Sequence, residues 1–381
     1  MEVPVESCVV TLEFEALLRG DDLSARIAEA FGADESLGIL TVSGVPGLTP
    51  LRERLLPLAR EFARLPADVR AAHEHAPSFY AVGWSHGKEK LGGGAPDLAK
   101  GSYYNNPLYN RPFDDEALIA RFPSFAAPNV WPSQHVPQME GAFMQLGQVM
   151  VRTGLLVAKQ CDAYVSARCP AYEAGKLERL LSSSKVCKGR LLHYFATAPG
   201  HAPGEGGAPA AAPGADVEGE WSSWCGWHND HGSLTALVAP LYVREESGER
   251  EAPDARAGLY VRSRRGELVR VRIPEDHLAF QIGETAQVHT GGLLQATPHA
   301  VRGSCAAGVS RETFAVFMEP EWTCPMAVPD GMDPRLTQTA SATRHLPKGV
   351  PPLHERWGTA GCPFSACNFG QFTDATFKSF Y

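Results

Sequence analysis

The chain has 381 residues, 44% hydrophobic and 20% charged, with a formal net charge of −8. That length can bury a large core, and the acidic balance speaks against a general nucleic-acid or membrane-surface binder. No apolar run is long enough to cross a bilayer, because Arg152 and Lys159 interrupt the best one.

In chain order, residues 37–42 predict an early strand, followed by a Gly44-Val45-Pro46 turn. Residues 50–64 predict a helix with Thr49 as N-cap, proline at the first helical position, and Leu55, Leu58, Ala59 and Phe62 along one side. Residues 101–106 combine aromatic and amide side chains. Tyr103 and Asn105 share a face if extended and are candidate substrate contacts. Residues 139–161 carry Phe143, Leu146, Met150, Leu155 and Val157 between polar positions, the pattern of an amphipathic helix.

Residues 198–214 are almost wholly Ala, Gly and Pro and predict a loop. A passive insertion is favoured there over a lid. Short strands are predicted at 233–238, 259–261, 268–271, 278–282 and 313–317, and the polar stretch 244–256 extends a hairpin. The whole predicts a mainly β protein with a helical N-terminal region, a jelly roll braced by helices. Its expected parts are a helical region at 1–185, a jelly-roll core at 186–325 and a C-terminal extension at 326–381.

Nine cysteines show no zinc-type spacing, and Met1 to Glu6 lacks a basic start and apolar core. Reduced thiols in a cytoplasmic protein are expected, with Cys362 and Cys367 too loosely spaced to mark a site.

The chemistry concentrates in His228, Asp230 and His299. His228 and Asp230 are two apart, so they point the same way in an extended segment, and the aliphatic run after them reads as a buried strand. Two imidazoles and one carboxylate on one face of a divalent metal leave positions open, the arrangement of non-haem Fe(II) oxygenases.

With these residues in place, the chain resembles the isopenicillin N synthase-like group of Fe(II)/2-oxoglutarate-dependent dioxygenases. The likeness rests on His228-x-Asp230 with its strand, the Gly283-Glu284 and Thr290-Gly291-Gly292 turns, distal His299, and Arg311-x-Thr313. Asn129-Val130-Trp131-Pro132 is similar to the family's Trp-Pro element. Glu284, Gly291, Ala300 and Thr313 depart from the usual Asp, Asn, Arg and Ser. On the strand resembling Arg-x-Asn-x-Tyr-Pro, Leu192 and Phe195 replace Asn and Pro around Tyr194.

The resemblance implies a distorted double-stranded β-helix binding Fe(II) through His228, Asp230 and His299. It also implies 2-oxoglutarate as cosubstrate, held by Arg311, Thr313 and Tyr194, O2 as partner and ascorbate as a candidate reductant. The implied reaction couples oxidative decarboxylation of 2-oxoglutarate to hydroxylation or desaturation of a small molecule by a monomer. The alternatives are an iron-dependent oxidase or cyclase of the same fold that does without 2-oxoglutarate, and a catalytically silent metabolite-binding protein.

Overall fold

The computed structural model describes residues 5–6, 9–32, 36–89, 96–196, 223–252, 254–304 and 306–380. The low-complexity stretch 198–214, and with it the choice between insertion and lid, lies outside the described residues.

β-Branched and aliphatic runs supply the strands, in chain order β1 (Val5–Glu6), β2 (Val10–Glu13), β3 (Ile39–Ser43), β4 (Gly83–His86), β5 (Lys100–Asn105), β6 (Lys188–Tyr194) and β7 (Ser223–His228). They continue as β8 (Leu234–Val238), β9 (Leu241–Arg244), β10 (Gly258–Arg262), β11 (Leu268–Val271), β12 (Leu278–Ile282), β13 (His299–Arg302) and β14 (Val309–Met318). One sheet runs β1-β11-β10-β13-β7; the other runs β2-β3-β12-β8-β14-β6-β5-β4, with β9 also paired to β14.

The two sheets enclose a core that takes Ile39, Leu192, Tyr194 and Ala279 from the larger and Trp224, Leu259, Val261, Val269 and Val301 from the smaller. The other face of the large sheet is covered by helices. Alternate residues Phe280, Phe314, Val316 and Met318 therefore join a second core with Phe143, Leu146, Met150 and Val157 of the Met139–Ser166 helix. With both faces covered, β12 is buried at all five positions. Its near-continuous apolar run follows from that.

The mainly β, helix-braced expectation meets two facing sheets without a closed barrel. The front half is less helical than expected. β2, β3, β4 and β5 all come from it and extend the large sheet, because their apolar alternation finds open edges at β12 and β6. The first long helix spans Leu48–Ala63, and Gly47 precedes it in the left-handed conformation, so Thr49 lies inside the first turn instead of capping it. Cys362 and Cys367 are joined as a disulfide, contrary to the reduced state expected. A turn through Pro363, closed by the Cys367 amide on the Pro363 carbonyl at 2.9 Å, brings them together. Among the described residues no helix is long and apolar enough to cross a membrane.

The long helix can lie close to the sheet because β6 presents Gly189 there, where a Cβ would stand 2.6 Å from the Phe143 ring. Gly189→Ala is expected to destabilise the fold by about 1–3 kcal/mol through overpacking, measured by urea denaturation.

Candidate metal centre

β7 ends at His228 and β13 begins at His299, and the two are paired across the ladder, with ring centroids 4.3 Å apart. Asp230 follows in the loop that leads into β8. Its Oδ1 lies 3.8 Å from His228 Nε2 and 3.7 Å from His299 Nε2. One donor atom from each of the three falls within 4.8 Å of the others.

The remaining atoms are occupied in a way that fixes which ones point inward. His228 Nδ1 donates to the Gly226 carbonyl at 2.8 Å and His299 Nδ1 to the Thr297 carbonyl at 3.2 Å. A carbonyl only accepts, so each Nδ1 carries a hydrogen and, in the neutral ring, each Nε2 offers a lone pair. Asp230 Oδ2 accepts from Thr235 Oγ1 at 2.7 Å, leaving Oδ1 facing the histidines. The donor set fits Fe(II).

Burial, reinforced by His228, pushes His299 down to about 4 and keeps it neutral. Burial opposes a charge on His228 as well, but Cys225 and Asp230 push it up to about 9. Burial would also raise Asp230, yet His299 and His228 hold its carboxyl below the ordinary range.

The loop carrying Asp230 is tied down by the segment after β12. The amides of Gly283, Glu284 and Thr285 donate to the carbonyls of Ser233, Asp230 and Gly232 at 3.0, 2.8 and 3.1 Å. Contact is so close that a Cβ on Gly283 would fall on the Gly232 carbonyl oxygen. Glu284 Oε1 accepts from Asn229 Nδ2 at 3.0 Å, and both its oxygens accept from Arg356 at 2.6 Å. The Glu284–Arg356 side chains are each 1% exposed.

Arg311 and Tyr194 are cross-strand partners on β14 and β6, with the guanidinium 4.9 Å above the ring. Arg311 is buried, and its Nε and Nη1 have no hydrogen-bond partner. Thr313 lies two residues on, its Oγ1 donating to the Val238 carbonyl at 3.3 Å. Register then orders the inner face of the large sheet. The row of Arg311 and Tyr194 is followed by Thr313 with Leu192, then by Ala279, Leu237 and Ala315, then by Gln281, Thr235 and Phe317. The last row adjoins the metal loop through Thr235. Between it and Arg311 stand the small side chains of Ala279 and Ala315.

Tyr103 and Asn105 need correcting as substrate contacts. They do share a face, but it is turned to the helical layer. Tyr103 packs edge-on to Phe62 and donates to the Val130 carbonyl at 3.1 Å. Asn105 donates to that carbonyl at 2.7 Å and accepts from the Val130 amide at 3.1 Å, copying a ladder step. A second donor group, His193, Glu245 and Glu312, lies on the same outer face, where His193 pairs with Glu312 and Arg60 with Glu245. Thr235, Gln281 and the Glu284–Arg356 pair did not stand out in the sequence as site residues. Glu284 was visible only as a departure from Asp, and nothing in the chain pointed from it to Arg356.

Arg356→Met should destabilise the protein by about 3–5 kcal/mol, because Glu284 is then buried unpaired, and Glu284→Gln in the same chain should restore part of the loss in urea denaturation. Gly283→Ala should weaken Mn(II) binding, read by electron paramagnetic resonance, because the added methyl displaces the loop that carries Asp230.

No family model and no curated protein matches the chain. Among solved structures, a Caulobacter crescentus protein assigned to the 2OG-Fe(II) oxygenase family superposes with a TM-score of 0.65 at 18% identity, over 98% of this chain and 99% of that one. A full-length Neurospora crassa protein in complex with alpha-KG gives 0.64 at 17% identity, over 97% and 95%. JOX2 in complex with 2OG, Fe and JA gives 0.59 at 17%, over 86% and 80%. The chain therefore shares, over nearly its whole length, the fold of 2OG-Fe(II) oxygenases.

Proposed function

We propose that the chain is an Fe(II)- and 2-oxoglutarate-dependent oxygenase of the isopenicillin N synthase-like group, with a double-stranded β-helix core, acting on a small molecule by hydroxylation or desaturation. The observation that carries this reading is the pairing of the three converging donors with a buried Arg311 whose Nε–H and Nη1–H are unused. Among the described residues no carboxylate pairs with Arg311, and a buried cation without a counter-charge is strongly unfavourable, so the site calls for an anion.

His228, Asp230 and His299 would hold Fe(II), and Arg311 would take the far carboxylate of the cosubstrate through a planar, two-pronged donor. Thr313 and Tyr194 flank that end. Ala279 and Ala315 are the small side chains between the two ends. When bound, iron and keto acid supply the oxidising chemistry, in which decarboxylation is coupled to O2 reduction and attack on a substrate C–H bond. The protein's part is placement: Leu192, Tyr194 and Trp224 pack together at the end of the sheet where Arg311 stands. Support also comes from neighbours solved with their ligands. The Neurospora crassa protein was crystallised with alpha-KG and thymine, and JOX2 with 2OG, Fe and JA, all small molecules.

Anaerobic addition of Fe(II) and then 2-oxoglutarate is expected to give the weak visible charge-transfer band of a chelated keto acid. His228→Ala, Asp230→Ala or His299→Ala should each abolish tight iron binding. Arg311→Ala should keep iron and weaken 2-oxoglutarate by about 10- to 100-fold, the loss of a hydrogen-bonded charge pair. Iron binding without the band would favour an oxidase that uses Arg311 for a substrate carboxylate, and no iron binding would leave a silent metabolite-binding fold.

A further inference from the structure

The row of inner-face side chains at the metal end of the large sheet is set by register. Ile39 on β3 faces Gln281 on β12, Gln281 faces Thr235 on β8, and Thr235 faces Phe317 on β14. Thr235 has a visible task, since its hydroxyl donates to Asp230 Oδ2. Gln281 has none. It is 2% exposed, and neither its Nε2 nor its Oε1 has a hydrogen-bond partner. Burying an amide with both ends unmet is unfavourable, because both groups lose their hydrogen bonds to water and gain none in return. An apolar residue of the same shape would suit a purely structural position on β12 better.

A second orphan stands beside it. Thr297 is 3% exposed and its Oγ1 has no partner. Its carbonyl is the acceptor that orients His299. The hydroxyl lies where any Cβ on Gly38 would be, and Gly38 immediately precedes Ile39, the cross-strand partner of Gln281. Two buried polar groups without partners thus adjoin the start of β3, Thr297 one link and Gln281 two links from the three donors. Gln281 is reached through Thr235 and Asp230, Thr297 through His299. Ser233 Oγ, two residues before Thr235, is also without a partner, and Arg311 is three rows away along the sheet.

We infer that Gln281, assisted by Thr297, is the subsite for the metal-chelating end of the keto-acid cosubstrate, donating to the carboxylate next to its ketone, while Arg311 holds the opposite carboxylate. The inference rests on the 2-oxoglutarate reading above and deepens it. Register divides the labour: a five-carbon diacid has one charged group at each end, and the inner face offers unused donors at both ends of the rows with Ala279 and Ala315 between. Gln281 is a positioning residue here. It orients the chelate without touching the metal.

The test uses the full-length protein loaded anaerobically with Fe(II) and titrated with 2-oxoglutarate, comparing wild type with Gln281→Leu and Thr297→Val. Both substitutions keep shape and remove the polar group. For Gln281→Leu the expected result is a keto-acid affinity about 10- to 100-fold weaker, the usual effect of losing a hydrogen bond to a charged group, with a shifted charge-transfer band. Iron affinity should be unchanged, and the melting temperature of the unliganded protein unchanged or higher, because an unmet amide has been removed. Thr297→Val should act in the same direction and less strongly.

Unchanged 2-oxoglutarate affinity and band position in Gln281→Leu would overturn the inference while leaving the cosubstrate reading intact. So would a fall in affinity that merely tracks lost iron binding or a lower melting temperature, since that is a structural effect. If wild type itself binds iron without a keto-acid band, the cosubstrate reading fails, and this inference fails with it.

Discussion

Glu284 is the point from which the metal centre is hung. Its carboxylate accepts two hydrogen bonds from Arg356 and one from Asn229, while its amide donates to the carbonyl of Asp230. One buried side chain therefore connects the end of β12, the loop bearing Asp230 and the C-terminal part of the chain. A buried ion pair of this kind is poor evidence for net stability, because desolvating two charges offsets most of their attraction. Its value lies in geometry. A bidentate guanidinium–carboxylate contact admits one arrangement, and Thr376 and Pro351 add hydrogen bonds that hold Arg356 in it.

The C-terminal segment is for this reason part of the site's support, although it contributes no ligand. Met326, Leu353, Trp357, Phe369 and Phe372 form a small core with Val288 of the Glu284–His289 helix. His231, pointing away from the metal, packs on Phe369 with ring planes 10° apart. Burial holds that imidazole down at about 4, so it stays neutral and takes no proton near the centre. Apolar packing thus sets where the segment sits, and the Arg356 contact transmits that position to Asn229 and Asp230.

Between the sheets, polar groups are rationed by layer. The deep row has Arg311 over Tyr194 with Lys100 beside it on β5, the middle rows are Thr313 with Leu192 and then Ala279 and Ala315 with Arg190, and the row beside the metal loop has Thr235 and Gln281. On the outer face of the same strands, Phe280, Phe314 and Val316 pack against the long helix. Alternation along β12 and β14 therefore separates brace from site residue by residue, so a one-residue slip would put Gln281 and Arg311 into the helical core.

Much of this was legible in the chain. The spacing of His228 and Asp230, the aliphatic run after them and His299 were enough to nominate three donors, and the fold brings one donor atom of each within 4.8 Å of the others. Residues 268–271 and 278–282 were also legible as strands from their own composition. What was not legible depended on partners far along the chain. Tyr103 and Asn105 looked like recognition residues until the fold laid Val130 against them, and Thr49 looked like a cap until Gly47 began the helix two residues sooner. The orphaned Gln281 and Arg311 and the Glu284–Arg356 clamp exist only once two sheets and a C-terminal segment enclose them. By itself the sequence determined which atoms can bind a metal and which runs must be buried, since both follow from residue chemistry and short-range periodicity. Only the tertiary structure decided which face each strand turns to the site and which buried polar groups go without a partner, because those follow from contacts between residues remote in sequence.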